Sequence, residues 1–94
     1  YREVAMAFIH SQDEFDTHGQ KGDWCFVNGD TYMLLQWGDT KDNICMVNVG
    51  DKTRRMWQWD GNKESPTLSP SIHVFTGNKT LWHGYLRSGK LEDA

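Results

Sequence analysis

The C-terminal part of the chain concentrates the side chains that could carry out catalysis. Ser71 directly follows a proline, and His73 and His83 come soon after it. A serine nucleophile needs a base within hydrogen-bonding reach, and the base needs a partner that orients it. His83 and His73 are the candidate bases, and Asp60 and Glu64 are the candidate orienting carboxylates. The structural alternative is that the Ser71 hydroxyl caps the proline-rich turn.

The same histidines raise the question of a metal site. Zinc takes three or four nitrogen, sulfur or oxygen ligands in a near-tetrahedral arrangement. If His73 and His83 supplied two ligands, a third would have to come from His10, Asp60 or a cysteine far away in the sequence. No Cys-x-x-Cys spacing occurs. We therefore predict no metal site and no cofactor.

Tryptophans and an arginine offer a different kind of surface. Trp57 and Trp59 are two residues apart and would share one face of a strand, where Trp82 could join them. Such a cluster is more often core than ligand platform. If exposed, it would suit stacking on a nucleobase or gripping a peptide, and Arg55 could hold a phosphate or carboxylate. We predict these four residues and His73 as the binding set.

The elements that position these residues read as strands. Turn signals recur every eight to twelve residues, a spacing typical of all-β folds. Residues 4–10 read as a first strand, and corners at residues 28–30 and 77–79 each predict a hairpin. About seven short strands predict a single β-rich domain over residues 1–94. We expect a small barrel or rolled antiparallel sheet with at most one short helix.

The register of the last hairpin decides whether Ser71 and His83 can meet. A two-residue turn pairs Thr76 with Lys79 and places Ile72 opposite His83, so that Ser71 and His83 point to opposite faces. A three-residue turn places His73 opposite His83 and makes Ser71 the diagonal neighbour of His83 on one face. The Gly-Asn dipeptide favours the first register, whereas a dyad needs the second register or a bulge.

Two further expectations concern packing. Cys25 and Cys45 each lie among apolar strand residues, so we predict two reduced, structural thiols rather than a disulfide. The predicted core consists of large apolar residues from the strands, namely Phe8, Trp24, Phe26, Leu34, Met46, Val47, Trp57 and Ile72.

Charge and hydropathy argue against two classes of function. Thirteen acidic and ten basic residues give a net charge of −3 without a basic stripe, which argues against binding to a nucleic acid polymer. No stretch approaches the roughly 20 apolar residues that a membrane-spanning helix needs. The apolar run at residues 4–9 is too short for a signal peptide and is followed by acidic residues.

The motifs themselves resemble a known family. The chain reads Trp57-Gln58-Trp59-Asp60-Gly61, then Pro66-Thr67-Leu68-Ser69-Pro70-Ser71-Ile72, then His83-Gly84-Tyr85-Leu86. This pattern resembles a family of small phage and prophage proteins, related to a serine peptidase of bacterial ubiquitination-like operons that trims a ubiquitin-like protein. The resemblance implies Ser71 as nucleophile and His83 as base, in a bacterial host cytoplasm. Family members often carry cysteines before the histidine, where this chain has Leu81-Trp82.

Two functions follow as hypotheses. The first is a small Ser/His hydrolase, peptidase-like, that uses Ser71 and His83 with Asp60 or Glu64 behind them. The second is a non-enzymatic phage module that acts against host defence by binding a host protein, a peptide or a small signalling nucleotide. It would do so through the Trp/Arg surface.

Overall fold

A computed structural model describes residues 19–94, which fall into two units that divide between Met56 and Trp57. Every regular element in the described part of the chain is a β-strand, as predicted. The strands form three small antiparallel sheets and not a closed barrel. The predicted strand at residues 4–10, with Phe8 and His10, lies outside the described residues. No helix in residues 19–94 is long and apolar enough to cross a membrane.

The first unit holds a three-stranded meander. Strands β1 (Trp24–Val27), β2 (Tyr32–Gln36) and β3 (Ile44–Asn48) pair in sequence order. The predicted hairpin at residues 28–30 is confirmed, since Val27 pairs with Tyr32 across it. Its three corner residues all have positive φ, which explains why the sequence uses Asn, Gly and Asp there.

Burial in this sheet follows the alternation of strand side chains. Trp24, Met33, Leu35 and Val47 lie on one face and are almost fully buried. The expectation that Met46 is also buried is wrong, because Met46 points to the opposite face from Val47 and is 61% exposed. The other predicted core residues of this unit, Phe26 and Leu34, are half-buried.

The second unit holds two sheets. Short strands β4 (Gln58–Trp59) and β5 (Leu68–Ser69) pair with each other. Strands β6 (Ile72–Thr76), β7 (Lys79–Arg87) and β8 (Lys90–Asp93) form a second meander, which includes the predicted hairpin at residues 77–79. Its buried side chains come from one face and from the loop before it, namely Pro66, Leu68, Ile72, Trp82 and Leu86.

Strands β4, β5 and β8 differ from what the sequence patterns indicate. Strand β4 covers only Gln58–Trp59, because the Asp51 carboxylate accepts hydrogen bonds from the Thr53 backbone and hydroxyl and holds a turn before it. Strand β5 was not predicted, because the flanking Pro66 and Pro70 argue against a regular strand, yet Leu68 and Ser69 pair with β4. Strand β8 was not predicted, because its residues are mostly polar. The Ser88-Gly89 corner before it, where both residues have positive φ, is the signal that could have revealed it.

The two cysteines lie on opposite faces of the first sheet, because Cys25 pairs with Leu34 whereas Cys45 pairs with Leu35, the next residue of β2. Both are free thiols, as predicted. Cys25 is fully buried, and burial raises the pKa of the Cys45 thiol to about 11. The thiolate is the reactive form, so neither cysteine is suited to nucleophilic chemistry near neutral pH.

We therefore expect both thiols to resist alkylation in the folded protein. At pH 8 a pKa near 11 leaves about one thiolate in a thousand, roughly a hundredfold fewer than for an unperturbed cysteine. Iodoacetamide labelling followed by mass spectrometry should show slow modification of the native chain. Two equivalents should react rapidly in denaturant without a reductant. A chain whose denatured form offers no reactive thiol would contradict the structure.

Gly84 marks the tightest packing in the second unit. A Cβ at this position would collide with the Glu92 carbonyl oxygen on β8 and with the Trp82 ring. Backbone atoms cannot give way cheaply, so Gly84→Ala should lower the free energy of unfolding by about 1–3 kcal/mol. Lys79→Ala, at an exposed position of the same strand, should stay within about 0.5 kcal/mol of wild type. Urea denaturation of both variants checks this, and equal midpoints would contradict the close contact.

Candidate active site

A β-bulge in the last hairpin brings the predicted serine and histidine together. The turn pairs Thr76 with Lys79, which is the two-residue register that the Gly-Asn corner favours. Between Val74 and Phe75 the register then shifts by one residue, because Leu81 on β7 has no partner on β6. Beyond the shift, His73 pairs with His83, as in the alternative register. The hairpin therefore combines the turn of one predicted register with the site geometry of the other.

This register places Ser71 and His83 in direct contact. The Nε2 atom of His83 lies 3.0 Å from the Ser71 Oγ atom. At that distance the serine hydroxyl donates to Nε2 when the imidazole carries its proton on Nδ1. Ser71 is half-buried and His83 is exposed, so the pair lies at the surface of the second unit. The arrangement is that of a nucleophile and a general base.

The second histidine lies beside the first. The rings of His73 and His83 have centroids 5.1 Å apart, and the His73 Nε2 atom lies 2.7 Å from the Thr80 hydroxyl. Thr80, which sequence analysis did not single out, thus anchors His73 through the β6–β7 pairing. Within residues 19–94, no group of three histidine, cysteine or acidic side chains is placed to hold a metal ion.

The backbone that presents Ser71 is held by Trp57 and the paired short strands. The Trp57 indole Nε1–H donates to the Ser71 carbonyl oxygen at 3.2 Å. Next to this contact, Gln58, which follows Trp57, pairs with Ser69, two residues before Ser71. The Ser69–Pro70 peptide bond that leads into Ser71 is cis. Trp57, predicted as part of a binding surface, is half-buried and holds the main chain of Ser71.

Asp60 organises the loop between the two short strands. Its Oδ1 atom accepts hydrogen bonds from the backbone N–H groups of Asn62, at 3.0 Å, and Thr67, at 3.3 Å. The Trp59 indole N–H donates to the Asn62 carbonyl oxygen at 3.0 Å. Glu64, the alternative acid, is exposed, and its backbone N–H donates to the Asn62 side chain. These contacts order the loop that precedes Ser71, and the proposed action of Asp60 on His83 stays a prediction.

The remaining residues of the predicted binding set lie in different surroundings. Trp82 is buried, and its indole N–H donates to the Asp93 carboxylate at 2.8 Å, so it packs within the sheet. His73 is exposed beside the dyad. Arg55 is exposed in the first unit, and its carbonyl oxygen accepts a hydrogen bond from the Asn48 side chain at 3.0 Å.

A groove begins beside the dyad. It has a volume of about 420 Å³ and is lined by residues 67–70 on one side and by Tyr85, Arg87 and Ser88 on the other. Residue 70 directly precedes Ser71, and Tyr85 lies two residues beyond His83 on the same face of β7. At the other end of the groove, the Ser88 N–H donates to the Thr67 hydroxyl at 2.8 Å.

Sequence analysis assigned no role to the groove residues. The alternation along β7, with histidine, tyrosine and arginine at every second position, is the signal that could have found them. The Arg87 guanidinium carbon lies 4.0 Å from the centroid of the Tyr85 ring, and Arg87 Nη1 donates to Glu92 Oε1 at 3.0 Å. The arginine is thus held over the groove by a ring contact and an ion pair.

Removing the hydrogen bond that Trp57 donates to the Ser71 carbonyl oxygen should lower the stability of the protein. Trp57→Phe keeps an aromatic ring but leaves the Ser71 carbonyl without its indole donor, which should cost about 1–2 kcal/mol of unfolding free energy. Trp59→Phe removes a similar donor from the exposed Asn62 carbonyl, where water can replace it, and should cost less. Chemical denaturation of the two variants makes the comparison. A larger loss in Trp59→Phe would contradict the assignment.

A family model described as "Bacterial ubiquitination-like system serine protease (BubE)" matches residues 12–94 of the chain. No curated protein and no solved structure gives a significant match.

Proposed function

The chain belongs to this family of bacterial ubiquitination-like system serine proteases, and we propose that it is a serine peptidase that uses Ser71 as nucleophile and His83 as general base. The observation that carries the proposal is the 3.0 Å contact between Ser71 Oγ and His83 Nε2. A hydrogen bond of this length is what a base needs to take the hydroxyl proton as the serine attacks. The match covers both residues.

The proposed reaction proceeds in two balanced steps. Ser71 Oγ attacks the carbonyl carbon of a peptide bond while His83 Nε2 takes the hydroxyl proton. The protonated imidazole then gives that proton to the leaving amine, the C–N bond breaks, and an acyl-serine remains. In the second step, water attacks the ester with His83 again acting as base, and the proton returns to Ser71 as the acid is released.

The neighbouring structure supports this proposal in two ways. Trp57 and the β4–β5 pairing hold the Ser71 backbone, and a nucleophile must be held in position to react efficiently. The groove beside the dyad offers room for an extended substrate segment next to the scissile bond. We propose a protein or peptide of the bacterial host cytoplasm as the substrate. A phage or prophage origin stays a prediction.

The binding-module hypothesis has less support from the side-chain positions. Trp82 is buried, and the indole N–H groups of Trp57 and Trp59 bond to backbone carbonyls. An exposed aromatic platform would leave more of these rings open to a nucleobase. This hypothesis predicts that Ser71→Ala leaves partner binding unchanged, whereas substitution of Trp59 or Arg55 weakens it.

A fluorophosphonate probe tests the nucleophile directly. We expect covalent labelling at Ser71, none at this position in Ser71→Ala, and strongly reduced labelling in His83→Ala, because the base is lost. Ser65→Ala, a serine that accepts a hydrogen bond from the Asn62 side chain in the loop, should label like wild type. Because the two dyad residues act as a unit, peptide hydrolysis by the double variant should be no slower than hydrolysis by the Ser71→Ala variant. Equal labelling of wild type and His83→Ala would contradict the dyad.

Two substitutions at Asp60 separate its two proposed roles. If Asp60 acts by accepting backbone hydrogen bonds, Asp60→Asn keeps a side-chain oxygen and should label at a rate within a few-fold of wild type. Asp60→Ala should then be slower and less stable. If the carboxylate instead orients His83, Asp60→Asn should lose activity on the order of 10⁴-fold, as in a triad whose acid is neutralised. Labelling rates together with unfolding midpoints distinguish the two.

A further inference from the structure

The groove beside the dyad carries a positive charge in a fixed position. Arg87 lines the groove and extends back along β7, so that its guanidinium lies over the Tyr85 ring, 4.0 Å from the centroid. A guanidinium has five N–H donors in a planar fork, and the ion pair with Glu92 engages it through Nη1. The Arg87 side chain is 54% exposed, so the remaining donors are accessible from the groove.

We propose that Arg87 selects substrates that place a carboxylate in this groove, an inference that rests on the proposed peptidase function. The guanidinium fork matches a carboxylate in charge and in bidentate geometry. The stacking contact with Tyr85 holds the fork in place, so less side-chain freedom is lost when a carboxylate binds. The carboxylate is either the free C-terminus of the peptide or an Asp or Glu side chain.

The geometry sets the distance between the carboxylate and the scissile bond. Tyr85 lies two residues beyond His83 along β7, which is roughly 7 Å at about 3.3 Å per strand residue. The register places Ser71 opposite Tyr85 and diagonal to His83, and the guanidinium lies at the level of Tyr85. An extended substrate would therefore bring a carboxylate there within about two residues of the bond that Ser71 attacks. The hydrogen bond from Ser88 to Thr67, and another from the Gly89 N–H to the Pro66 carbonyl oxygen, close the groove beyond this point.

Glu92 makes the proposed selectivity adjustable. Its carboxylate already bonds to Arg87 at 3.0 Å and is itself 47% exposed, so it competes with an incoming carboxylate. Removing this charge should therefore strengthen substrate selection, whereas removing Arg87 should abolish it. Opposite effects from two residues that touch each other are not expected if the groove recognises shape alone.

Binding by an inactivated protein tests the recognition step without catalysis. Immobilised Ser71→Ala would be exposed to an equimolar library of random octapeptides, synthesised once with a free C-terminal acid and once as the amide, at low ionic strength. We expect about tenfold enrichment of peptides that carry a carboxylate. Stronger capture of the acid library than of the amide library would identify a C-terminal carboxylate. Enrichment of Asp and Glu among the peptides captured from both libraries would identify a side chain.

Matched variants connect the result to Arg87. Adding Arg87→Ala should abolish the enrichment, Arg87→Lys should keep part of it because the charge remains without the fork, and Glu92→Gln should increase it. High salt should weaken it, because the site is exposed. Enrichment that is absent, or that survives Arg87→Ala, would overturn the inference. Probe labelling at Ser71 with unselective binding would leave the peptidase proposal intact, whereas selective binding without labelling would count against the peptidase alone.

Discussion

The candidate site depends on one extra residue in β7. Without the bulge, the turn that pairs Thr76 with Lys79 would place Ile72 opposite His83, and Ser71 would face the other way. That register would also turn Trp82 and Leu86 outward, although both are buried in the structure. The turn and the core therefore require registers that differ by one residue. The bulge at Leu81 satisfies both, and contact between Ser71 and His83 is the consequence.

The segment before Ser71 contributes a second constraint, through hydrogen bonds as well as the burial of Pro66 and Leu68. Trp57 bonds to the Ser71 carbonyl, Asp60 bonds to the Thr67 N–H, and Thr67 in turn accepts a bond from Ser88. The loop is thus attached both to β4 and to the β7–β8 turn. In each of these hydrogen bonds, one polar side-chain group belongs to a residue of the family pattern: Trp57, Asp60 or Thr67. The Trp-x-Trp-Asp and Pro-Thr motifs therefore support one and the same loop.

Local patterns in the sequence predicted most of the strands and singled out the two residues that the structure brings into contact, Ser71 and His83. The Asn-Gly and Gly-Asn corners located two hairpins, because positive φ angles restrict which residues can occupy them. The bulge could not be predicted, because it results from competition between a turn and a core whose packing depends on contacts across strands. Met46 was misassigned for a related reason: an apolar residue was assumed to be buried without deciding which face of β3 the core covers.

The exposure of the dyad bears on the substrate that the proposed chemistry requires. His83 is exposed, so water screens the charges that develop as Ser71 attacks, and a preorganised site works best where water is excluded. A small ester would leave the pair in solvent, whereas a polypeptide in the groove would cover Ser71 from the side of Tyr85. Phe75, 61% exposed, and Leu81, 43% exposed, offer apolar contacts on the same β6–β7 hairpin. A substrate that spans the hairpin would complete the active site by shielding it, which favours a folded protein with an extended segment over a small molecule.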